Sequence, residues 1–188
     1  MTHRVGLTTD TVINAAMKIA DEEGLDHLTL LRVAKELNVR PPSLYEHVEG
    51  IDGIMKLLRL WGLKLMANRF QRAVMGVSGE DAIRMLADSF RSFVKQHPAV
   101  YRLTVESDVS DSEEIRSAAG EILDVIYAAL GSYAFSGDRL VHATRYLRSV
   151  VHGFVSLEMS GGFGINVNLD ESFERIKDII VSSIKSFQ

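Results

Sequence analysis

Cysteine is absent from the 188-residue chain. That removes disulfides, thiolate zinc sites and cysteine nucleophiles together. No run of 18 or more residues is apolar throughout, so no segment is built to span a bilayer as a helix. The opening stretch MTHRVGLTTD lacks the apolar core of a secretory signal. These absences point to a cytoplasmic protein with no membrane partner. Proline is scarce, at three residues, which leaves long helices uninterrupted. No segment alternates apolar and polar residues over five or more positions, so no exposed strand is expected. Enzyme signatures are missing as well: there is no GxSxG, no P-loop and no HExxH. The Gly161-Gly162-Phe163-Gly164 cluster has no strand before it and serves as a helix terminator. His142 and His152 are ten residues apart, about 280° round a helix, and do not converge on one metal. No catalytic residue, metal or cofactor is expected. A basic excess is lacking too, for the net charge is −4.

What remains is an ordinary globular composition, 46% hydrophobic and 24% charged, long enough for one or two small domains. Almost every segment has a helical period. Thr8 or Thr9 caps a first helix that runs to about Glu23, with Val12, Ile13, Ala16, Met17 and Ala20 as its buried stripe and Gly24 behind its last turn. Thr29 caps a short second helix through Leu37. Asn38-Val39-Arg40 makes a turn, and Pro41-Pro42 opens a third helix ending near His47, since proline loses no intrahelical hydrogen bond in a first turn. A long helix from roughly Asp52 to Val74 follows. Further helices are expected at about Glu80–Gln96, Ala99–Glu106, Ser110–Leu130 with a capping box at Ser110 to Glu113, Asp138–Ser160, and from a cap at Asn168 or Asp170 to the carboxyl end. The fold class is therefore all-α, with eight or nine helices.

The three front helices have the geometry of a helix-turn-helix. Two short helices joined by a tight turn cross steeply, and the second can enter the DNA major groove. Ala34 is small where the helices cross, while Val33, Leu37, Val39, Leu44 and Val48 supply a compact core. Arg40, Ser43, Tyr45, Glu46 and His47 are left over as polar groups able to meet phosphates or base edges.

From Thr11 to Leu58 the chain resembles the DNA-binding domain of the TetR family of bacterial regulators. The alanines and glycine of the first helix, Thr29 at the start of the second, and Leu44-Tyr45-x-His47 in the third carry the resemblance. It implies a homodimer that binds double-stranded DNA at a palindromic operator. By the same resemblance, Thr29 and Leu30 lie where a helix N-terminus meets a phosphate, and Tyr45 and His47 contact the DNA backbone. Arg40, Pro41, Pro42, Ser43 and Glu46 fall where sequence is read. Three positions depart from the family. Its usual lysine near the next helix start is replaced by Gly50-Ile51-Asp52-Gly53, its usual aromatic after the histidine is Val48, and Pro41 and Pro42 donate no backbone hydrogen bond. Residues 1–50 hold five Lys/Arg (4, 18, 32, 35, 40) against eight Asp/Glu (10, 21, 22, 23, 26, 36, 46, 49), a local charge of −3. Arg4, in an amino-terminal arm, is placed to reach the minor groove.

Farther along, Arg148 to Glu158 followed by Ser160 to Phe163 resembles the TetR-like carboxyl domain marked by a Trp/His/Gly motif, of which His152-Gly153 are present. The resemblance implies a domain that dimerises and binds a small apolar or amphipathic effector. The expected organisation is a DNA-binding domain over 1–50 and a helical-bundle domain over 51–188, with the helix of 51–75 linking them. The last two long helices, about 138–160 and 170–187, are the expected dimer interface. Met66, Phe70, Phe90, Phe93, Tyr101, Tyr127, His142, Tyr146 and His152 are the candidates to line an effector cavity. The function expected is that of a repressor released from its operator by the effector. The rival is a helical small-molecule-binding or interaction protein whose DNA binding is weak or lost. Tyr45→Ala is predicted to weaken operator binding, read by fluorescence anisotropy, while the dimer mass stays unchanged; loss of the dimer instead would make Tyr45 a structural residue.

Overall fold

The structure, a computed structural model, describes residues 6–106 and 112–187. Its elements are α1 (Thr9–Glu23), α2 (Leu30–Glu36), α3 (Gly50–Ala73), α4 (Gly79–Gln96), α5 (Pro98–Glu106), α6 (Glu113–Leu130), α7 (Asp138–Met159) and α8 (Leu169–Ile184). Short 3₁₀ turns lie at Leu25–His27, Pro41–Glu46, Gly131–Tyr133 and Lys185–Phe187. Among the described residues no strand occurs, which agrees with the all-α expectation. The arm carrying Arg4 and the first two residues of the Ser110–Glu113 capping box lie outside the described residues.

The local reasons for these boundaries are visible. Thr8, not Thr9, caps α1: its hydroxyl accepts the Thr11 N–H at 3.2 Å and the Thr11 hydroxyl accepts the Thr8 N–H at 2.9 Å. Gly24 closes α1 at φ +95°, a conformation costly for any residue with a Cβ. Asn38 takes a left-handed φ of +53° in the turn after α2, where its short polar side chain is tolerated. Asn168 caps α8 by accepting the Asp170 and Glu171 N–H groups at 2.8 and 3.3 Å. Gly161, at φ +69°, follows the end of α7, so the glycine cluster does terminate a helix.

The chain divides into two compact units. One comprises Met1–Leu63 with His97–Ile115, the other Lys64–Gln96 with Arg116–Gln188. The division falls inside α3 and places α5 with the amino-terminal helices. In the first unit Val12, Ala16, Val33, Leu44, Ile54 and Leu58 are wholly buried in one cluster that also holds Ala34 and Val48. Leu37 and Val39 pack on it half-buried.

In the second unit α4, α7 and α8 enclose Ile83, Phe93, Phe173, Ile180 and Ile184. Tyr146 meets Phe187 at 5.5 Å and Phe154 meets Phe173 at 5.1 Å between ring centroids, so α7 and α8 run antiparallel. Two cations are built into this unit. The Lys177 ammonium is buried but donates to Asp88 at 2.6 Å and lies within 2.8 Å of Glu174. The Arg91 guanidinium lies over the Phe154 and Phe173 rings, donates to Glu158 at 2.7 Å and reaches Asp170 at 2.7 Å. Buried charge is tolerated only when paired in this way. Among the described residues no helix is long and apolar enough to cross a membrane.

Gly62 marks a close approach of α3 and α5. A Cβ there would lie 2.5 Å from Val100 Cγ1 and 3.3 Å from Thr104 Cγ2, so α3 and α5 approach as only glycine allows. Gly62→Ala is predicted to destabilise the fold by about 1–3 kcal/mol, the usual cost of overpacking, read as a lower urea midpoint.

Candidate DNA-reading surface

Pro41–Glu46 is helical, but with 3₁₀ rather than α geometry. Pro41 and Pro42 have no N–H to donate, and the Ser43 N–H closes on the Arg40 carbonyl at 3.0 Å, a three-residue span. The His47 N–H likewise bonds the Leu44 carbonyl at 2.9 Å. With only six residues before the chain turns into α3, no longer ladder forms. The period is then three, so residues i and i+3 share an edge. Pro41 and Leu44 form the inner edge, half-buried and wholly buried. Pro42 and Tyr45 form an outer edge, with Tyr45 62% exposed. Ser43 and Glu46 make the third, half-buried and exposed. His47 is half-buried, and its carbonyl accepts from the Thr9 hydroxyl at 3.4 Å, which ties the end of the segment to the start of α1.

Arg40 precedes the segment, is exposed and has no ion-pair partner among the described residues. Lys35, in the last turn of α2, is in the same state. The other two described cations of residues 1–50 are engaged. Arg32 Nε sits 3.1 Å from both Glu23 carboxylate oxygens and its Nη1 donates to Glu36 at 2.9 Å; the Lys18 ammonium reaches Glu36 at 2.8 Å. Hydrogen bonds from Lys18 and Arg32 hold the Glu36 carboxyl below its ordinary value, and Arg32 does the same to Glu23. The network fixes α2 to α1 and removes two cations from the pool that could meet phosphates.

Thr29 caps α2, its hydroxyl accepting the Arg32 N–H at 3.1 Å. Leu30 turns inward onto the core, whereas Leu31 is 70% exposed beside it. Leu31 and Lys35 escaped the sequence pattern, since a leucine in an amphipathic heptad is assigned to the core and a lone lysine to a solvated face.

A family profile described as "Tetracyclin repressor-like, C-terminal domain" matches residues 83–180. The HTH-type transcriptional regulator YobS of Bacillus subtilis is 32% identical over 100% of this chain and 94% of its own length. This chain belongs to the TetR family. A second HTH-type regulator, from Mycobacterium tuberculosis, is 29% identical over 82% of this chain and 72% of its own. Among solved structures, a TetR variant from Acinetobacter baumannii in complex with minocycline superposes with a TM-score of 0.71 at 24% identity, covering 96% of this chain and 98% of that one. That likeness concerns the fold. The chain is thus a DNA-binding transcriptional regulator and not an enzyme.

The effector candidates are scattered across this TetR-family scaffold. Met66, Phe70 and Phe93 are buried in the second unit, and the Arg69 guanidinium stands 5.6 Å from the Phe93 ring. Phe90, Tyr127, Tyr146 and His152 are half-buried. His152 sits 3.4 Å from the Ser156 hydroxyl, and Tyr146 packs on Phe187. His142 is exposed, and Tyr101, though buried, belongs to the first unit. A shallow depression of about 340 Å³ on α4 is lined by Asp88, Arg91, Ser92, Lys95 and Gln96, none of them a candidate. Among the described residues no group of three or more His, Asp or Glu is placed to hold a metal.

Hydrogen bonds from Arg91 and Lys95 hold the Glu158 carboxyl below its ordinary value of 4.5, against the opposing effect of burial. A carboxyl lowered in the folded state contributes stability above its unfolded value and loses it as pH falls through the folded value. Glu158→Gln is therefore predicted to lower the unfolding free energy at pH 7 by about 2 kcal/mol for loss of a charged hydrogen-bonded pair, read as a lower urea midpoint. Its midpoint should also fall less than the unmodified protein's between pH 5 and pH 3; equal slopes would overturn the assignment.

Proposed function

We propose that the chain is a homodimeric repressor that leaves a palindromic operator when a small apolar or amphipathic effector binds. The observation that carries the DNA side is the burial pattern of Pro41–Glu46: Leu44 is wholly buried while Arg40, Pro42, Tyr45 and Glu46 are exposed together. In this reading residues 1–50 contact DNA and the rest of the chain dimerises and takes the effector, in the cytoplasm. Thr29 and Leu30 meet a phosphate at the start of α2, Tyr45 and His47 hold the backbone, and Arg40, Pro41, Pro42, Ser43 and Glu46 face the bases. Arg40 is suited to a bidentate contact with a guanine edge.

Dimerisation is assigned to α7 and α8. The half-buried Tyr146, Ile176 and Phe187 and the 58% exposed Ile179 support it, as does the need of a two-fold operator for a two-fold protein. Two reading segments then sit about 34–36 Å apart, one DNA turn. The buried aromatics and methionine of the second unit supply an apolar lining for an effector, and α3, which belongs to both units, carries its effect toward the reading segment. A coupling of about 1–3 kcal/mol suffices.

The test is anisotropy of a labelled duplex from the promoter of its own gene, titrated with salt, alongside light scattering. With Lys35 and Arg40 unengaged among the described residues of 1–50, a dimer neutralising about four phosphates gives a shallow log–log salt slope near −4. A dimer of twice the chain mass with that slope is expected. A monomeric mass overturns the dimer, a slope near −8 overturns the few-contact surface, and dimers that bind small molecules but no duplex favour the interaction-protein alternative, which the local charge of −3 keeps in view.

A further inference from the structure

Asp21 is oddly placed for a residue of α1 alone. It lies in the last turn of that helix, where the carbonyl end of the dipole disfavours a negative charge. No basic residue shares the turn. Its side chain is only 13% exposed, and its two carboxylate oxygens meet the residue before α5 and the first turn of α5. One oxygen lies 2.9 Å from His97 Nδ1, and the other accepts the Ala99 N–H at 3.3 Å. Ala99 is the second residue of α5, so its N–H is among those that the helix leaves unsatisfied. Pro98, the first residue, has none to offer. The His97 ring in turn meets the Trp61 ring of α3 edge-on, at 5.3 Å between centroids.

We propose that Asp21 is a positioning residue for DNA binding, an N-cap that α1 supplies in trans to α5 and through which α5 holds α1, and with it the reading segment, in its binding arrangement. Two independent contacts make α5 a brace. At its start it takes the carboxylate of α1, and from the next residue on Val100 and, a turn later, Thr104 close on Gly62 of α3 without room for a Cβ. α1 lies in the same core as Leu44 and Val48, so a shift of α1 is felt at Pro41–Glu46. α5 follows α4 across the single residue His97, so a displacement at the end of α4 is delivered first to the residue that Asp21 grips.

The test compares Asp21→Ala, Asp21→Asn, Asp21→Glu, His97→Ala and Ile13→Val. The last trims the same α1 core and leaves the Asp21 contacts untouched. The probe is a labelled duplex selected from a random library by the unmodified protein, and each variant is also melted by circular dichroism. Asp21→Ala is expected to lose at least about tenfold in duplex affinity while still folded, within the range usual for coupled sites. Asp21→Asn, whose side-chain carbonyl still accepts the Ala99 N–H, should recover part of that loss. Ile13→Val should melt earlier yet bind the duplex as the unmodified protein does. Should Asp21→Ala fail to fold, His97→Ala decides, with a smaller loss in the same direction expected. Unchanged affinity in folded Asp21→Ala, or in His97→Ala, overturns the proposal, as does a loss that follows melting temperature equally in Ile13→Val.

Discussion

Leu44 has no exposed surface, and its burial determines where every other side chain of Pro41–Glu46 points. In a segment with three residues per turn, fixing one residue inward fixes Pro41 beside it and sends the remaining two edges outward. The position is costly to alter because Val33, Ala34 and Val48 of the same core are themselves buried. The chemistry of the outer edges is therefore free to vary while the inner edge is not. On the proposed reading, Arg40, Pro42 and Glu46 serve base recognition and Tyr45 the DNA backbone from these exposed edges, while Leu44 serves folding.

The same economy governs the charges. Glu23 and Glu36 each accept from a cation, so α1 and α2 are joined by ion pairs as well as by their apolar stripes. Exposed pairs of this kind are worth little individually to stability, so their clearer consequence is electrostatic. They leave Lys35 and Arg40 on either side of the turn without a competing carboxylate partner among the described residues. In the second unit the logic is reversed. Arg91 and Lys177 are drawn into the core over the Phe173 ring, and there their partners are compulsory.

Much of this was legible in the residues. Helix ends at Gly24, Leu130 and Gly161 were marked by glycine, and α2 and α8 by Thr29 and Asn168, because caps are local chemistry between neighbours. The inward residues of the first unit were legible from period 3.6. The 3₁₀ form of Pro41–Glu46 was not, since two prolines are compatible with the first turn of either helix and only the room left before Gly50 decides. Nor was the fate of Arg32 or Asp21. Glu23 lies on another helix nine residues from Arg32, and His97 lies 76 residues from Asp21; pairing over such separations depends on packing. For the effector candidates, aromatic type and helical spacing indicated burial but not convergence, and Tyr101 and His142 fall in different surroundings from Phe93.

An acidic regulator that reads DNA is less paradoxical than its net charge suggests. Screening confines the influence of exposed charges to about 8–10 Å at physiological salt, so phosphates feel chiefly the groups they touch. A broad positive field would raise affinity for every sequence alike, whereas contacts at base edges raise it for one. Withdrawing Lys18 and Arg32 into ion pairs lowers the first term and leaves the second intact. What matters against a genome of competing sites is the ratio of the two. On the proposed reading, a surface with few free cations, a buried leucine to set its orientation and an exposed arginine and tyrosine to meet the DNA sacrifices overall affinity for that ratio.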